Sequence, residues 1–386
     1  MRFSEKIMAV EPSATLEITA KAKDMLASGE DVITLAAGEP DFDTPDLIKD
    51  AAIKAIRDGN TKYTPAGGTR SLKEAICRKF NRDNALNYNI DEVVVSNGAK
   101  HSLYNILQVI LSPGDEVILI APYWLSYPEM VKLGGGVPKI LMPDAKNGFK
   151  AGVKDIKAAF TDKTRALIIN SPSNPAGVVY SEKELRAIAE VCLAAGITII
   201  SDEIYEKVIF DGQKHFSIAA ASDAVRASTI VVNGVSKSFA MTGWRIGYAA
   251  GDSKIMKMVA TLQSHSTSGP CSISQAAAEH ALSADIEDEM ERNRIEYQLR
   301  RDVVMKSLSG ETKLRLSKPE GAFYLFCDIS GTGMDSMTFC QKLLKEKKVA
   351  VIPGAPFGND RFIRISFAAG VEKIKEGTER IREWLK

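Results

Sequence analysis

The stretch Ser228-Thr229-Ile230-Val231-Val232-Asn233-Gly234-Val235-Ser236-Lys237-Ser238-Phe239-Ala240-Met241-Thr242-Gly243-Trp244-Arg245-Ile246-Gly247-Tyr248 decides how this chain is read. Its first five residues form an apolar run suited to a buried strand. A lysine among small and hydroxyl residues follows, and an arginine stands eight positions later. A lysine in a confined pocket can lose its proton and add to a carbonyl carbon, giving a Schiff base. The arginine can hold an anionic group of the same ligand through two parallel hydrogen bonds. Together they suit an aldehyde that carries a phosphate. A lone lysine of this kind is more often a surface residue, so the weight falls on the rest of the chain.

Outward from this stretch, short apolar runs alternate with helical patterns. Strands are expected at Glu92 to Val95, Glu116 to Ile120, Ala166 to Ile169, Thr198 to Ile200, Thr229 to Val232 and Ile246 to Ala250. Helix-like stretches such as Ala99 to Leu111 and Ser181 to Ala195 lie between them. Apolar strands without in–out alternation, separated by helices, predict an α/β domain with a mostly parallel sheet covered on both faces. After about Asp285 the pattern changes. A long charged helix, Glu287 to Ser307, precedes short strands at Ala322 to Asp328, Ala350 to Ile352 and Phe362 to Ser366, and a helix over Val371 to Trp384 closes the chain. This reads as a smaller α+β domain. One helix, Ala14 to Ser28, is expected before Gly38.

Composition sets bounds. The 386 residues are enough for two domains; 45% are hydrophobic and 26% charged, ordinary values for a globular protein. A formal net charge of +1 gives no whole-molecule field favouring nucleic acid or a membrane. The five cysteines form no C-x-x-C pair and the four histidines no H-E-x-x-H motif, so no metal site is indicated. No apolar leader or membrane-length run is present, and a cytoplasmic protein is expected.

Several strand ends carry chemistry. Ser96-Asn97-Gly98-Ala99-Lys100 ends a strand and opens a helix, where free N–H groups and the helix dipole suit a phosphate. Asp202 ends another strand; it is either a helix N-cap or a partner for a protonated pyridine nitrogen, with Tyr205 three residues on. Ser171-Pro172-Ser173-Asn174-Pro175 is a stiff loop that either merely turns the chain or presents Asn174 to a ligand. Trp124 offers a flat face for stacking, and Arg364 alternates with apolar residues on a short strand, where it can clamp a carboxylate. The ligand these groups suit jointly is pyridoxal phosphate.

The same motifs carry a family resemblance. Ala37-Gly38-Glu39-Pro40-Asp41-Phe42, Lys62-Tyr63-Thr64-Pro65, Pro122-Tyr123-Trp124, Asn170-Ser171-Pro172-Ser173-Asn174-Pro175, Ser201-Asp202-Glu203-Ile204-Tyr205, the Lys237 motif and Arg364-Ile365-Ser366 occur in order along the chain. The sequence resembles the fold-type I, pyridoxal-phosphate-dependent aminotransferases of class I, and within them the bacterial and archaeal aspartate aminotransferase branch.

The resemblance implies a large domain over 46–285 and a small domain formed by 1–45 with 286–386. It implies that Lys237, Asp202 and Tyr205 are catalytic. Gly98, Ala99, Lys100, Ser236 and Arg245 would surround the phosphate, while Trp124, Asn174, Asp202 and Tyr205 would hold the ring. Gly38, Trp124, Asn174, Arg364 and Lys100 would hold the substrate, with polar residues in the segment Gln263 to Ser268 assisting. Tyr63 would reach a neighbouring subunit's phosphate, so a homodimer is expected. The implied reaction moves an amino group between aspartate or glutamate and 2-oxo acids. Aromatic or neutral amino acids, prephenate, or a β-lyase reaction on the same fold are the alternatives. Glu11 stands where prephenate-using relatives tend to carry a basic residue, which implies little prephenate activity.

Overall fold

A computed structural model describes residues 2–11, 14–143, 147–283 and 286–386, with the backbone alone at 14–16. Among the described residues, seven strands make the larger sheet. Their spatial order is Val93–Ser96, Gly247–Ala250, Thr229–Gly234, Thr198–Asp202, Thr164–Asn170, Glu116–Ile120 and Val137–Leu141. Gly247–Ala250 runs antiparallel to both neighbours, and every other pairing is parallel.

Successive residues of these strands enter opposite cores, which is why the sequence shows apolar runs instead of alternation. Val93, Val95, Val231 and Ala250 pack on one face with the helices Arg70–Asn84 and Ser272–Ser283. Val94, Val232 and Ala249 pack on the other with Ala99–Ile110 and Ser253–Ser264. Farther along the sheet, Ile118, Leu167, Ile169 and Ile199 meet the helix Glu182–Ala194. Ser181 starts that helix: its Oγ accepts from the Glu184 N–H while the Glu184 carboxylate accepts from the Ser181 N–H, so two otherwise unpaired donors are satisfied.

The strand Val137–Leu141 was not expected from sequence. It is the outer strand, carries Pro138, and leaves Val137 and Ile140 exposed, so it lacks the apolar run of its buried neighbours. The expected start at Glu92 also shifts, because Ile90–Glu92 forms a 3₁₀ turn whose Glu92 carboxylate accepts from the Asn89 N–H.

The C-terminal part holds a four-stranded antiparallel sheet, in the order Ile352–Pro353, Phe362–Ser366, Tyr324–Asp328 and Arg315–Leu316. The run expected as one strand at Ala350 to Ile352 divides. Val349–Ala350 pairs instead with Ile33–Thr34, in parallel. Ile18, Ala22, Ile33 and Leu35 accordingly share a core with Leu343, Ile352, Ile374 and Ile381. The N-terminal helix, Ala14–Ala27, thus belongs by packing with the C-terminal elements. No helix among the described residues is long and apolar enough to cross a membrane.

Candidate active site

Three neighbouring strands of the large sheet end at the residues that carry chemistry. The parallel strands Thr164–Asn170, Thr198–Asp202 and Thr229–Gly234 lead at their C-terminal ends to Asn174, to Asp202 with Tyr205, and to Lys237. This is the edge at which parallel sheets present ligand-binding groups.

Lys237 lies in a turn directly after its strand and is half-buried. Its Nζ donates to the Gly38 carbonyl at 2.7 Å and stands 5.9 Å from the ring centroids of both Tyr205 and Phe323. Burial pushes its pKa down to about 8, against the attraction of Glu39 and Asp202 and with help from Arg364 and Arg245. More of the amine than in an ordinary lysine, about a tenth, is therefore neutral at pH 7, the form a nucleophile requires.

Asp202 is 4% exposed and burial pushes its carboxyl up to about 6. Tyr127 donates to Oδ2 at 2.6 Å, and the Ile204 N–H reaches Oδ1 at 3.3 Å. No helix follows; residues 204–207 are turn, so helix capping does not explain the carboxylate. A buried carboxylate of raised pKa would be stabilised by a cationic partner such as a protonated ring nitrogen.

In the C-terminal sheet, Arg364 is 5% exposed. Its Nη1 donates to Asn174 Oδ1 at 3.1 Å and its Nη2 to the Ala36 carbonyl at 3.1 Å. Its Nε is buried without a protein partner. An unsatisfied buried donor is costly, and a carboxylate ligand would satisfy it. Gly38 borders the same space: a Cβ there would lie 3.6 Å from Tyr324 Oη and 4.0 Å from Arg364 Nη2.

The helix Ala99–Ile110 opens at Gly98, whose φ of +89° suits glycine. A Cβ on Gly98 would stand 2.4 Å from Arg245 Nη2, so this glycine lets the guanidinium approach the turn. Arg245 donates to the Thr242 carbonyl at 2.8 Å and the Asn97 carbonyl at 3.3 Å. Free helix N–H groups, the dipole and an arginine converge there, a donor set for an oxyanion such as phosphate. Ser236 is buried beside Lys237. The Lys100 Nζ lies 4.8 Å from the Trp124 ring centroid, and burial with the Arg245 charge lowers its pKa. Trp124 itself is half-buried.

Tyr63, expected to serve a neighbouring subunit, is 97% exposed in the single chain. One expected residue falls elsewhere. Gln263 is fully buried, donating to the Val95 and Ala66 carbonyls and accepting from Asn105, so it fastens the scaffold. Sequence reading missed Tyr127, Phe323 and Tyr324. Tyr127 follows Trp124 by one helical turn, the sole local hint; the other two sit inside an apolar strand pattern that signals only a core.

The family model described as aminotransferase class I and II matches residues 30–381. The chain is 50% identical to the aspartate aminotransferase of Bacillus sp. (strain YM-2) over 389 residues, spanning 100% of this chain and 99% of that protein. The crystal structure of the aspartate aminotransferase from Rhizobium meliloti shares its fold with a TM-score of 0.96 at 41% identity, covering 100% of this chain and 99% of that one. The aspartate aminotransferase from Thermus thermophilus with maleate gives a TM-score of 0.96 at 40% identity, covering 99% and 100%.

Proposed function

Because the chain belongs to the class I and II aminotransferases, we propose that it moves an amino group between L-aspartate or L-glutamate and 2-oxo acids, with pyridoxal phosphate held at Lys237. The observation that carries this reading is the placement of Lys237. Its amine, lowered to about 8, faces the space bounded by Gly38, Tyr205 and Phe323.

The residues fit the cofactor. Asp202, whose ionised form is disfavoured by burial, would gain from the charge of a protonated pyridine nitrogen. A Cβ on Gly98 would meet Arg245 Nη2 at 2.4 Å, so glycine is what lets the guanidinium reach the helix N-terminus at which the phosphate would sit. Gly98, Ala99, Lys100, Ser236 and Arg245 would hold the phosphate; Tyr205 and Asn174 would bond the ring oxygen, and Trp124 would cover the ring. Bound there, the group supplies a carbonyl for the amine and a ring that takes up the electrons of a broken Cα–H bond.

The chain's own residues do the rest. Arg364 pairs with the substrate α-carboxylate and, with Asn174 and Gly38, fixes the Cα–H bond for removal. Once the substrate amino group has replaced it at the cofactor's carbonyl carbon, the freed Lys237 amine would take that proton and return it to that carbon. Asp202 keeps a positive charge on the ring nitrogen. The first 2-oxo acid leaves before the second enters, since both need Arg364; this is ping-pong order.

Dicarboxylate preference is supported by Lys100, whose ammonium stands over Trp124, and by maleate, a dicarboxylate, with the Thermus relative. Glu11 fits poor use of prephenate. A homodimer in the cytoplasm, and domains at 46–285 and at 1–45 with 286–386, complete the proposal; the core shared by Ile18, Ile33 and Leu35 with the C-terminal elements supports that division. The test is Lys100→Ala assayed with aspartate and with a neutral amino acid. A fall in kcat/KM of about 10- to 100-fold confined to aspartate, on the order of one lost charge-assisted hydrogen bond, is expected. Lys100 would serve the phosphate through its backbone N–H, so equal losses on both would place its side chain at the phosphate as well and remove the support for a dicarboxylate.

A further inference from the structure

We propose that Tyr324 is a positioning residue, holding the Tyr205 hydroxyl so that its proton points to the ring oxygen of the bound cofactor. The inference rests on the function proposed above and assigns a residue that function leaves without a role.

Tyr324 opens the strand Tyr324–Asp328 of the C-terminal sheet, and Tyr205 lies in the turn after Thr198–Asp202 of the large sheet. Their hydroxyl oxygens are 2.9 Å apart and both residues are buried. Either oxygen could donate, but a phenol has only one proton to give. If Tyr205 gave its proton to Tyr324, it would offer the ligand lone pairs alone, which repel an anionic ring oxygen. With Tyr324 as donor, the Tyr205 proton is free for the ligand.

The surroundings favour that direction. A cation facing a phenol makes its O–H the stronger donor, and the Arg364 guanidinium carbon stands 4.3 Å from the Tyr324 ring centroid, nearer than Lys237 Nζ stands to the Tyr205 ring at 5.9 Å; Glu39 faces Tyr324 and Asp202 faces Tyr205 with the opposite effect. The same strand pairing that sets Tyr324 opposite Ser366 carries Arg364, so cation and phenol are held by one sheet. Burial pushes the pKa of both tyrosines up, which keeps both protons in place at neutral pH. Phe323 packs edge-on against Tyr205 with ring centroids 5.4 Å apart, limiting rotation of the ring that carries the hydroxyl.

Tyr324→Phe removes the hydroxyl and keeps the ring beneath Arg364. The readout is the pH titration of the visible absorbance of the pyridoxal-phosphate-loaded protein, in wild type, Tyr324→Phe, Tyr205→Phe and the double variant. A ring oxygen that loses its donor holds more negative charge, which favours a proton on the adjacent lysine nitrogen and moves the midpoint up. Tyr324→Phe should raise the midpoint by about half a unit or more. It should add nothing in the Tyr205→Phe background, because it acts through that hydroxyl. A midpoint within about 0.1 unit of wild type, or an equal shift in both backgrounds, overturns the inference and leaves the function standing. A loaded wild type without a Lys237-dependent visible band overturns the function, and the inference falls with it.

Discussion

The lowered proton affinity of Lys237 has a consequence that can be measured before any turnover. At pH 7 roughly one amine in ten would be neutral, against roughly one in 2,500 for an ordinary lysine. The neutral amine is the reactive form, so the rate at which the cofactor-free protein takes up pyridoxal phosphate should rise with pH and level off above about 8. Stopped-flow absorbance across pH 6 to 10 follows it; a rise that continues to the ordinary lysine pKa, near 10.4, would mean that the pocket does not depress the amine. Lys237 and Asp202 stand out in the sequence because each comes at the end of an apolar strand, and Arg364 because a charge interrupts the short strand Phe362–Ser366. Tyr127 was not, since its partner, Asp202, lies 75 residues away and only the fold joins them. The isolation of Gln263 from the substrate space was equally hidden, because a buried amide that bonds the backbone looks in sequence like any polar residue of a helix.

At the level of elements, the turn proposed to hold the phosphate depends on one close approach. The helix Ala99–Ile110 begins against Gly247 of the neighbouring antiparallel strand, where an added Cβ would stand 2.0 Å from the Ala99 nitrogen and 2.3 Å from the Gly98 carbonyl carbon. Backbone cannot yield as a flexible side chain can. Gly247→Ala should cost about 1–3 kcal/mol of stability, the range for overpacking, and should weaken cofactor binding together with it. Denaturant unfolding and a pyridoxal phosphate titration measure the two effects; unchanged affinity in a destabilised variant would separate the turn from phosphate binding. The buried strands were readable because both faces enter cores. Val137–Leu141 escaped notice for the opposite reason, and Val349–Ala350 was joined to Ile352–Pro353 because one apolar run feeds two sheets.

For the whole molecule, Tyr63, 97% exposed in the single chain, has its hydroxyl free to reach a second subunit. If its hydroxyl serves the phosphate of a second subunit, hybrids of Lys237→Ala and Tyr63→Phe chains should hold one intact site and one doubly damaged site. Pyridoxal phosphate titration of purified hybrids should then show two unequal affinities, one like the wild type. Two sites that each match a parent would keep Tyr63 within its own subunit. The central claim, a Lys237-dependent transfer of the amino group, is tested most directly by mixing the loaded protein with L-aspartate and no 2-oxo acid. The visible band should bleach as about one equivalent of oxaloacetate appears per subunit, with the amino group retained by the protein, and Lys237→Ala should show neither change. A band that persists, free ammonia as a product, or oxaloacetate formed by Lys237→Ala would contradict it.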